Sequence, residues 1–367
     1  MSTFAPLHVH SCYSLLDGLA SPAELVQAAC ACGMPALAMT DRLCLAGAVE
    51  FQTACTTAGI QPIFGLEVDM APPRSLAALP GAGHPRPLVL LAADSQGWAN
   101  LCRLTALLLD DPTREQIPPV ALEVLAGYAQ GVICLSGGRR SLIHHLLSHG
   151  LRDAGETLIH QLSQIFPQRF YIELNLHTRE DAQALPFIIT TVRRIGLPLV
   201  AAHDSFYLRP EQSSLHRTLT AIRLNTPLAR LEPALVLPRA HFPDEKEMQA
   251  AFKDYPEAIA NSLEVAQRCS FQLPLGQHLF PAIDVPDGLT PAGLLRRKAE
   301  AGARRYYLTI TPEIQERLDR ELRVICDLGF EPIFLIMEEI IAYAHSAGIP
   351  ASSRGSAASS LVAHCLG

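Results

Sequence analysis

Lysine is almost missing from this 367-residue sequence: only Lys246, Lys253 and Lys298 stand among 29 basic residues, against 36 acidic ones, for a formal charge of −7. That balance excludes a basic nucleic-acid-coating domain, although a local arginine strip can still grip phosphates. Paired cysteines are missing too. The ten cysteines are scattered, and the one close pair, Cys30 and Cys32, has no second pair to complete a zinc site. Reduced thiols used as small core residues follow, and a chain this long needs no disulfide staples. Long apolar runs are absent: the longest, Ile333 to Ala344, is interrupted by Glu338 and Glu339, too short to span a bilayer. The first residues show no basic patch followed by an apolar run, so no signal peptide is read. A cytoplasmic protein without a membrane partner is expected. With 49% hydrophobic and 18% charged residues the chain is globular, and its length suggests two domains.

What is present is a rhythm of short apolar runs and helix-length segments up to about residue 225. Leu7 to Ser11 reads as a strand, and Ser21-Pro22-Ala23-Glu24 opens a helix with a capping box that Gly33 closes. Strands are expected at 36–40, 63–68, 87–92, 131–135, 169–175 and 197–202, with helices at 46–58, 95–108, 139–166 and 180–195. Seven strands with helices between them predict an α/β fold: a distorted barrel of parallel strands, one short of eight. An open doubly wound sheet is the alternative, disfavoured because no glycine-rich phosphate turn follows the first strand. Residues 238–280 read as helical and polar. Pro281, Pro286, Asp287 and Gly288 read as a linker, followed by helices at 291–308, 312–328, 332–347 and from Ala357. The domains are therefore placed at 1–285 and 286–367.

In such a barrel, polar groups at the carboxyl ends of strands are the candidates for chemistry. Here they are His8 and His10 with Asp17 beyond, Asp41, Glu67, Glu173, Asn175, His177 and Asp204. His8 and His10, two apart in an extended segment, face one side, as a divalent metal requires of an H-x-H pair. Glu67, His177 and Asp204 would complete a mixed nitrogen and oxygen set suited to zinc, manganese or iron. Singly, each has an ordinary reading as core histidine or helix cap. Their convergence from several strand ends argues for a metal site.

The run Leu7-His-Val-His-Ser-Cys-Tyr-Ser-Leu-Leu-Asp-Gly18, with Ala38-Met-Thr-Asp-Arg42, Gly65-Leu-Glu67 and Asp204-Ser-Phe-Tyr-Leu208, resembles the polymerase-and-histidinol-phosphatase (PHP) domain that opens bacterial DNA polymerase III alpha subunits. Phe242 to Met248, Asp254 to Ala258, Leu273 to Gly276 and Leu328-Gly329-Phe330 resemble the segment leading out of that domain. Arg354-Gly355-Ser356-Ala357-Ala358 is similar to the family's palm signature, so the resemblance spans the chain in the family's order. Thr40-Asp41-Arg42 looks more like the error-prone branch. The resemblance implies a PHP barrel followed by a helical segment that begins a polymerase palm. It further implies DNA and deoxynucleoside triphosphates as substrates of the complete polymerase, with Mg²⁺ as its cofactor. Other replisome or mutagenesis subunits would be partners. A metal-dependent phosphoesterase or 3′-5′ exonuclease is the competing function, and residues 286–367 have no use in it.

The family pattern is broken in two places. Members with an intact metal site have histidine where Arg42 and Phe206 stand, and neither side chain can ligate a metal. A degenerate site is therefore expected at His8, His10, Asp17, Glu67, His177 and Asp204, holding Zn²⁺ or Mn²⁺ at reduced occupancy. Arg42 is expected to act as a surrogate cation for Glu67, Asp17 or Asp204. The sequence also stops eleven residues after Ser356, before the point where the family places its palm carboxylates, so no catalytic residue and no nucleotide incorporation are expected of this chain alone. A piece of a longer polymerase, a broken gene and one part of a split enzyme remain open. Arg354, Gly355 and Ser356, read as a helix start, suit a triphosphate.

Overall fold

Ser21 caps the first helix as its sequence predicts: its hydroxyl accepts from Glu24 N while Glu24 accepts from Ser21 N at 2.8 Å. That helix, α1 (Pro22–Ala31), leads into β1 (Ala36–Met39), α2 (Ala48–Ala58) and β2 (Gln61–Met70). The computed structural model describes residues 3–110, 117–232, 235–277, 279–352, 354–355 and 359–367. Onward from β2 run β3 (Arg86–Ala92), α3 (Ser95–Leu109), α4 (Leu122–Gly127), β4 (Val132–Leu135), α5 (Leu142–Ser148) and α6 (Arg152–Ile165). Then come β5 (Phe170–Leu174), α7 (Arg179–Ile195), β6 (Leu199–Ala201), α8 (Ser213–Arg223), α9 (Glu245–Ala251) and α10 (Pro256–Arg268). The expected helix over 139–166 is broken into a 3-10 turn (Gly138–Arg140), α5 and α6, because Gly150 adopts φ 75° and ends α5.

The six strands lie in sequence order, and the sheet is mixed: β3 runs antiparallel to both β2 and β4, and the other neighbours are parallel. This corrects the expectation of seven parallel strands. Parallel neighbours need a crossover, usually a helix, and residues 71–85 between β2 and β3 contain none. The segment expected as the first strand is extended but makes only an isolated bridge, Val9 to Ser205. Pro6 has no N–H to donate and Val9 N is taken by the Thr40 hydroxyl at 2.9 Å, so no regular ladder forms. The segment still holds both edges of the curled sheet. Ala38 N donates to Pro6 O and Thr40 N to Val9 O, both at 2.8 Å, while His10 N donates to Ser205 O at 2.8 Å.

Strand alternation sorts the core into two layers. Leu37, Phe64, Leu90, Cys134, Ile172 and Ala201 face the helices, while Ala38, Ile63, Leu91, Ile133, Tyr171 and Val200 fill the interior. Val265 and Ala266 from α10, with Cys269 just after it, belong to the interior cluster and plug one end. Toward the other end, the interior positions become polar: Ile63 gives way to Glu67, Tyr171 to Glu173 and Val200 to Asp204.

The chain divides into two compact units, Met1–Leu275 and Gly276–Gly367. The second contains α11 (Pro291–Tyr306), α12 (Pro312–Asp327), α13 (Glu331–Ser346) and α14 (Leu361–Leu366). Its core joins Leu295 and Ala299 of α11 to Leu318 and Leu322 of α12 and Val362 of α14. A Cβ on Gly302 would sit 1.6 Å from Cys365 O, so glycine permits the close approach of α11 and α14. Helix α13 is unlike the others: Leu335 is its one fully buried residue, while Met337, Ile340 and Tyr343 are 49%, 52% and 70% exposed. Among the described residues no helix is long and apolar enough to cross a membrane.

Gly137, just past β4, has φ 84°, and a Cβ there would lie 2.1 Å from Pro87 O. Gly137→Ala is therefore expected to cost about 1–3 kcal/mol, read as a lower urea midpoint at unchanged slope. An unchanged midpoint would show that this turn carries no such constraint.

A candidate metal centre at the barrel mouth

His8 and His10 leave the extended segment on one side, as their spacing predicts, and meet Glu67 from β2 and Asp204 from the chain after β6. One ligand atom from each of these four buried residues lies within 4.8 Å of the others. His8 Nε2 is 3.0 Å from Glu67 Oε2 and 3.6 Å from Asp204 Oδ1, and His10 Nε2 is 3.2 Å from Asp204 Oδ1. Two further contacts orient the rings. His8 Nδ1 is 2.8 Å from Glu173 Oε1, and His10 Nδ1 is 3.1 Å from Ser14 Oγ. Asn175 Nδ2 donates to the same Glu173 oxygen at 3.0 Å.

Sequence reasoning missed the cation of this site. Arg140, on the 3-10 turn after β4, donates through Nε to Asp204 Oδ2 at 2.8 Å and through Nη2 to Glu67 Oε2. The signal was Ser136-Gly137-Gly138-Arg139-Arg140 at the end of β4, two flexible residues followed by two guanidinium groups. Burial by itself would raise the carboxyl pKa values of Glu67 and Asp204, but Arg140 foremost, with His8 and His10, holds both below the ordinary range. Burial would likewise lower the His8 pKa, and Asp204, Glu173 and Glu67 outweigh it and hold His8 well above the usual histidine value.

Arg42 does not play the part expected of it. Its guanidinium pairs with Asp69, two residues beyond Glu67 on the same face of β2, and the two side chains are 34% and 27% exposed. The backbone of Arg42 bridges that of Glu67, which directs the long side chain past Glu67 toward the rim. Phe206, the other departure from the family pattern, stacks on His10 with ring centroids 4.2 Å apart, and the Arg140 guanidinium lies 5.6 Å from its centroid. Asp17 stands apart from the four, 3.4 Å from His216 Nε2 and 3.5 Å from Arg223 Nη2 of α8. His177 also stands apart. Its ring packs at a tilt against that of His203, centroids 4.2 Å apart, and burial lowers its pKa to about 4. Of the nucleotide set, Arg354 is exposed and lines an open cleft of about 620 Å³ with Tyr306, Phe334, His345 and His364, and Gly355 has φ 94°. Ser356 lies outside the described residues. The last described helix begins at Leu361 with Ser360 as its cap, and Ala357, where its start was expected, lies outside the described residues.

Two imidazoles and two carboxylates are a suitable donor set for one divalent ion. His10 Nε2 and Asp204 Oδ1, both buried, have no partner in hydrogen-bond geometry, which leaves one nitrogen and one oxygen available to it. Among the described residues this is the one set of three or more such donors that comes together closely enough for a single ion.

Residues 6–177 match the family profile of the PHP domain, so the chain carries a domain of that class. Residues 293–367 match the bacterial DNA polymerase III alpha NTPase domain. The chain is 36% identical to an error-prone DNA polymerase of Symbiobacterium thermophilum, covering 99% of this chain and 34% of that protein. It is 34% identical to the DNA polymerase III subunit alpha of Escherichia coli K12, covering 99% and 32%. The chain is thus homologous to the N-terminal part of DNA polymerase III alpha subunits and error-prone DNA polymerases, and spans about a third of their length. Among solved structures it is similar to a putative metal-dependent phosphoesterase from Bifidobacterium adolescentis, 15% identical over 55% of this chain and 86% of that one, TM-score 0.35.

Two measurements check the electrostatics. Glu67 and Asp204 have folded pKa values below their unfolded ones, so their contribution to stability is complete above about pH 4 and is lost as pH falls further. His8 has a raised folded value, so its contribution is complete below about pH 6.5 and is lost as pH rises through that value. Urea unfolding across pH should therefore show stability declining on both sides of an intermediate plateau, and His8→Asn should flatten the alkaline side. The half-exposed pair at Arg42 is expected to matter little, with Arg42→Ala costing at most about 1 kcal/mol. A larger loss would restore Arg42 to the centre of the site.

Proposed function

We propose that this chain is the N-terminal part of a DNA-directed DNA polymerase of the polymerase III alpha kind, acting in replication or error-prone repair synthesis. The observation that carries this is the match of 99% of the chain to about a third of the length of such polymerases. The profile match over residues 293–367 favours it over a free-standing phosphoesterase or 3′-5′ exonuclease. On this reading residues 1–285 are the PHP domain with its helical extension and 286–367 begin the palm. The exposed apolar side of α13 supports a unit that more polymerase chain would cover. DNA, deoxynucleoside triphosphates and Mg²⁺ belong to the complete polymerase, in the cytoplasm, with replisome or mutagenesis subunits as partners.

In the barrel, His8, His10, Glu67 and Asp204 would hold one ion, Zn²⁺ or Mn²⁺, at reduced occupancy, which when bound supplies Lewis acidity toward a phosphate ester. The chain's own residues fix that arrangement: Glu173 sets the orientation of His8, Ser14 that of His10, and Phe206 keeps water from one face of His10. Asp17 and His177, which stand apart from these four, would be vestiges of the ancestral set. Arg354, with Gly355 and Ser356, would contact the triphosphate.

The test is primer extension with Mg²⁺ by the complete polymerase containing this chain. Extension is expected, and Arg354→Ala should raise the nucleotide KM about 10- to 150-fold, the loss of a charge-assisted contact of about 1.5–3 kcal/mol. An unchanged KM removes Arg354 from the nucleotide site. Mn²⁺-dependent release of 3′ nucleotides by the 367-residue chain, with no extension by the complete protein, would favour the phosphoesterase instead.

A further inference from the structure

We propose that Arg140 is the resident cation of the barrel mouth, an alternative to a divalent ion at the same two carboxylates. The inference rests on reading His8, His10, Glu67 and Asp204 as a metal centre. Arg140 is the one guanidinium among the described residues that is hydrogen-bonded to both carboxylate ligands at once, through Nε to Asp204 and Nη2 to Glu67. Glu67 Oε2 is also the oxygen that His8 Nε2 approaches at 3.0 Å. An ion drawing on these oxygens would sit beside a fixed positive charge, and like charges that close oppose each other strongly away from bulk water.

The arginine is delivered by a built turn. Gly137 and Gly138 have φ 84° and 57°, and a Cβ on Gly138 would lie 1.4 Å from Asn175 Oδ1, so side chains are excluded where the turn rests on Asn175. Asn175 Oδ1 accepts from Arg139 N at 2.8 Å, and its amide donates to the Glu173 oxygen that orients His8. Arg139 is tied down separately, its Nε donating to Asp181 at 2.9 Å. Phe206 lies beside the Arg140 guanidinium and against His10. The residues that brace the histidines therefore also brace the arginine, and Arg140 is 27% exposed where its two acceptors are 1% and 2% exposed. Such a planar fork matches two carboxylates at once, which an ammonium group does not.

Equilibrium dialysis against Zn²⁺ or Mn²⁺ alone, followed by metal analysis of the purified 367-residue chain, tests this. The unmodified protein is expected to hold well under one equivalent. Arg140→Gln should bind one equivalent at least tenfold more tightly, and Arg140→Lys, which keeps the charge, should stay metal-poor. Adding Asp204→Asn to Arg140→Gln should abolish the gain. If Arg140→Gln does not fold in metal-free buffer, its refolding is followed by circular dichroism with either ion present. Recovery upholds the exchange of one cation for the other, and failure with both ions overturns it. Stoichiometric, tight metal in the unmodified protein, or equal affinity in Arg140→Gln, also overturns it and leaves the polymerase reading untouched.

Discussion

Three carboxylates, Glu67, Glu173 and Asp204, converge within the mouth of the barrel with almost no exposure to water. Ionised groups in such a place must each meet a cation or a hydrogen-bond donor, and the surrounding structure is arranged around that demand. Glu173 receives His8 and Asn175, while Glu67 and Asp204 share Arg140 and the two imidazoles. The raised pKa of His8 and the lowered ones of Glu67 and Asp204 are two sides of one interaction. So is the glycine pair after β4, whose backbone brings the guanidinium to its acceptors.

The same demand explains where the family pattern is altered. Phe206 closes one face of His10 and lies beside the Arg140 guanidinium, which gives the cation a neighbour. Arg42 answers a different acid, Asp69, at the rim. The second unit shows the opposite balance. Its small core is satisfied by α11, α12 and α14, and α13 turns most of its apolar surface outward.

The sequence was informative where chemistry depends on spacing alone. Two histidines two residues apart had to share a side of an extended segment, and carboxylates at strand ends had to meet where the strands end. The cation was harder to see because Arg139 and Arg140 looked like the start of a long helix, and the turn that aims them depends on contacts with Asn175 and Pro87. Asp17 was misplaced for a similar reason: its partners, His216 and Arg223, lie about 200 residues away on a helix with no motif of its own. The antiparallel β3 was legible in principle from the helix-free loop before it. The domain boundary was read at 285/286 from proline and glycine; the chain divides into compact units at Leu275 and Gly276, and hydrogen bonds of Gln52 to both backbone groups of Leu273 tie the residues just before that point to the barrel.

The extended segment that joins the two edges of the sheet is made about 195 residues before its partner Ser205. At about 5–20 residues per second, synthesis alone imposes a delay of roughly 10–40 s before the ring can close. During that interval His8 and His10 belong to an unpaired ribbon, and the acid that will face them, Asp204, does not yet exist. The mouth of the barrel thus closes only once two stretches about 195 residues apart have both been made, and a nascent chain arrested before residue 205 would present half-sheet edges to chaperones.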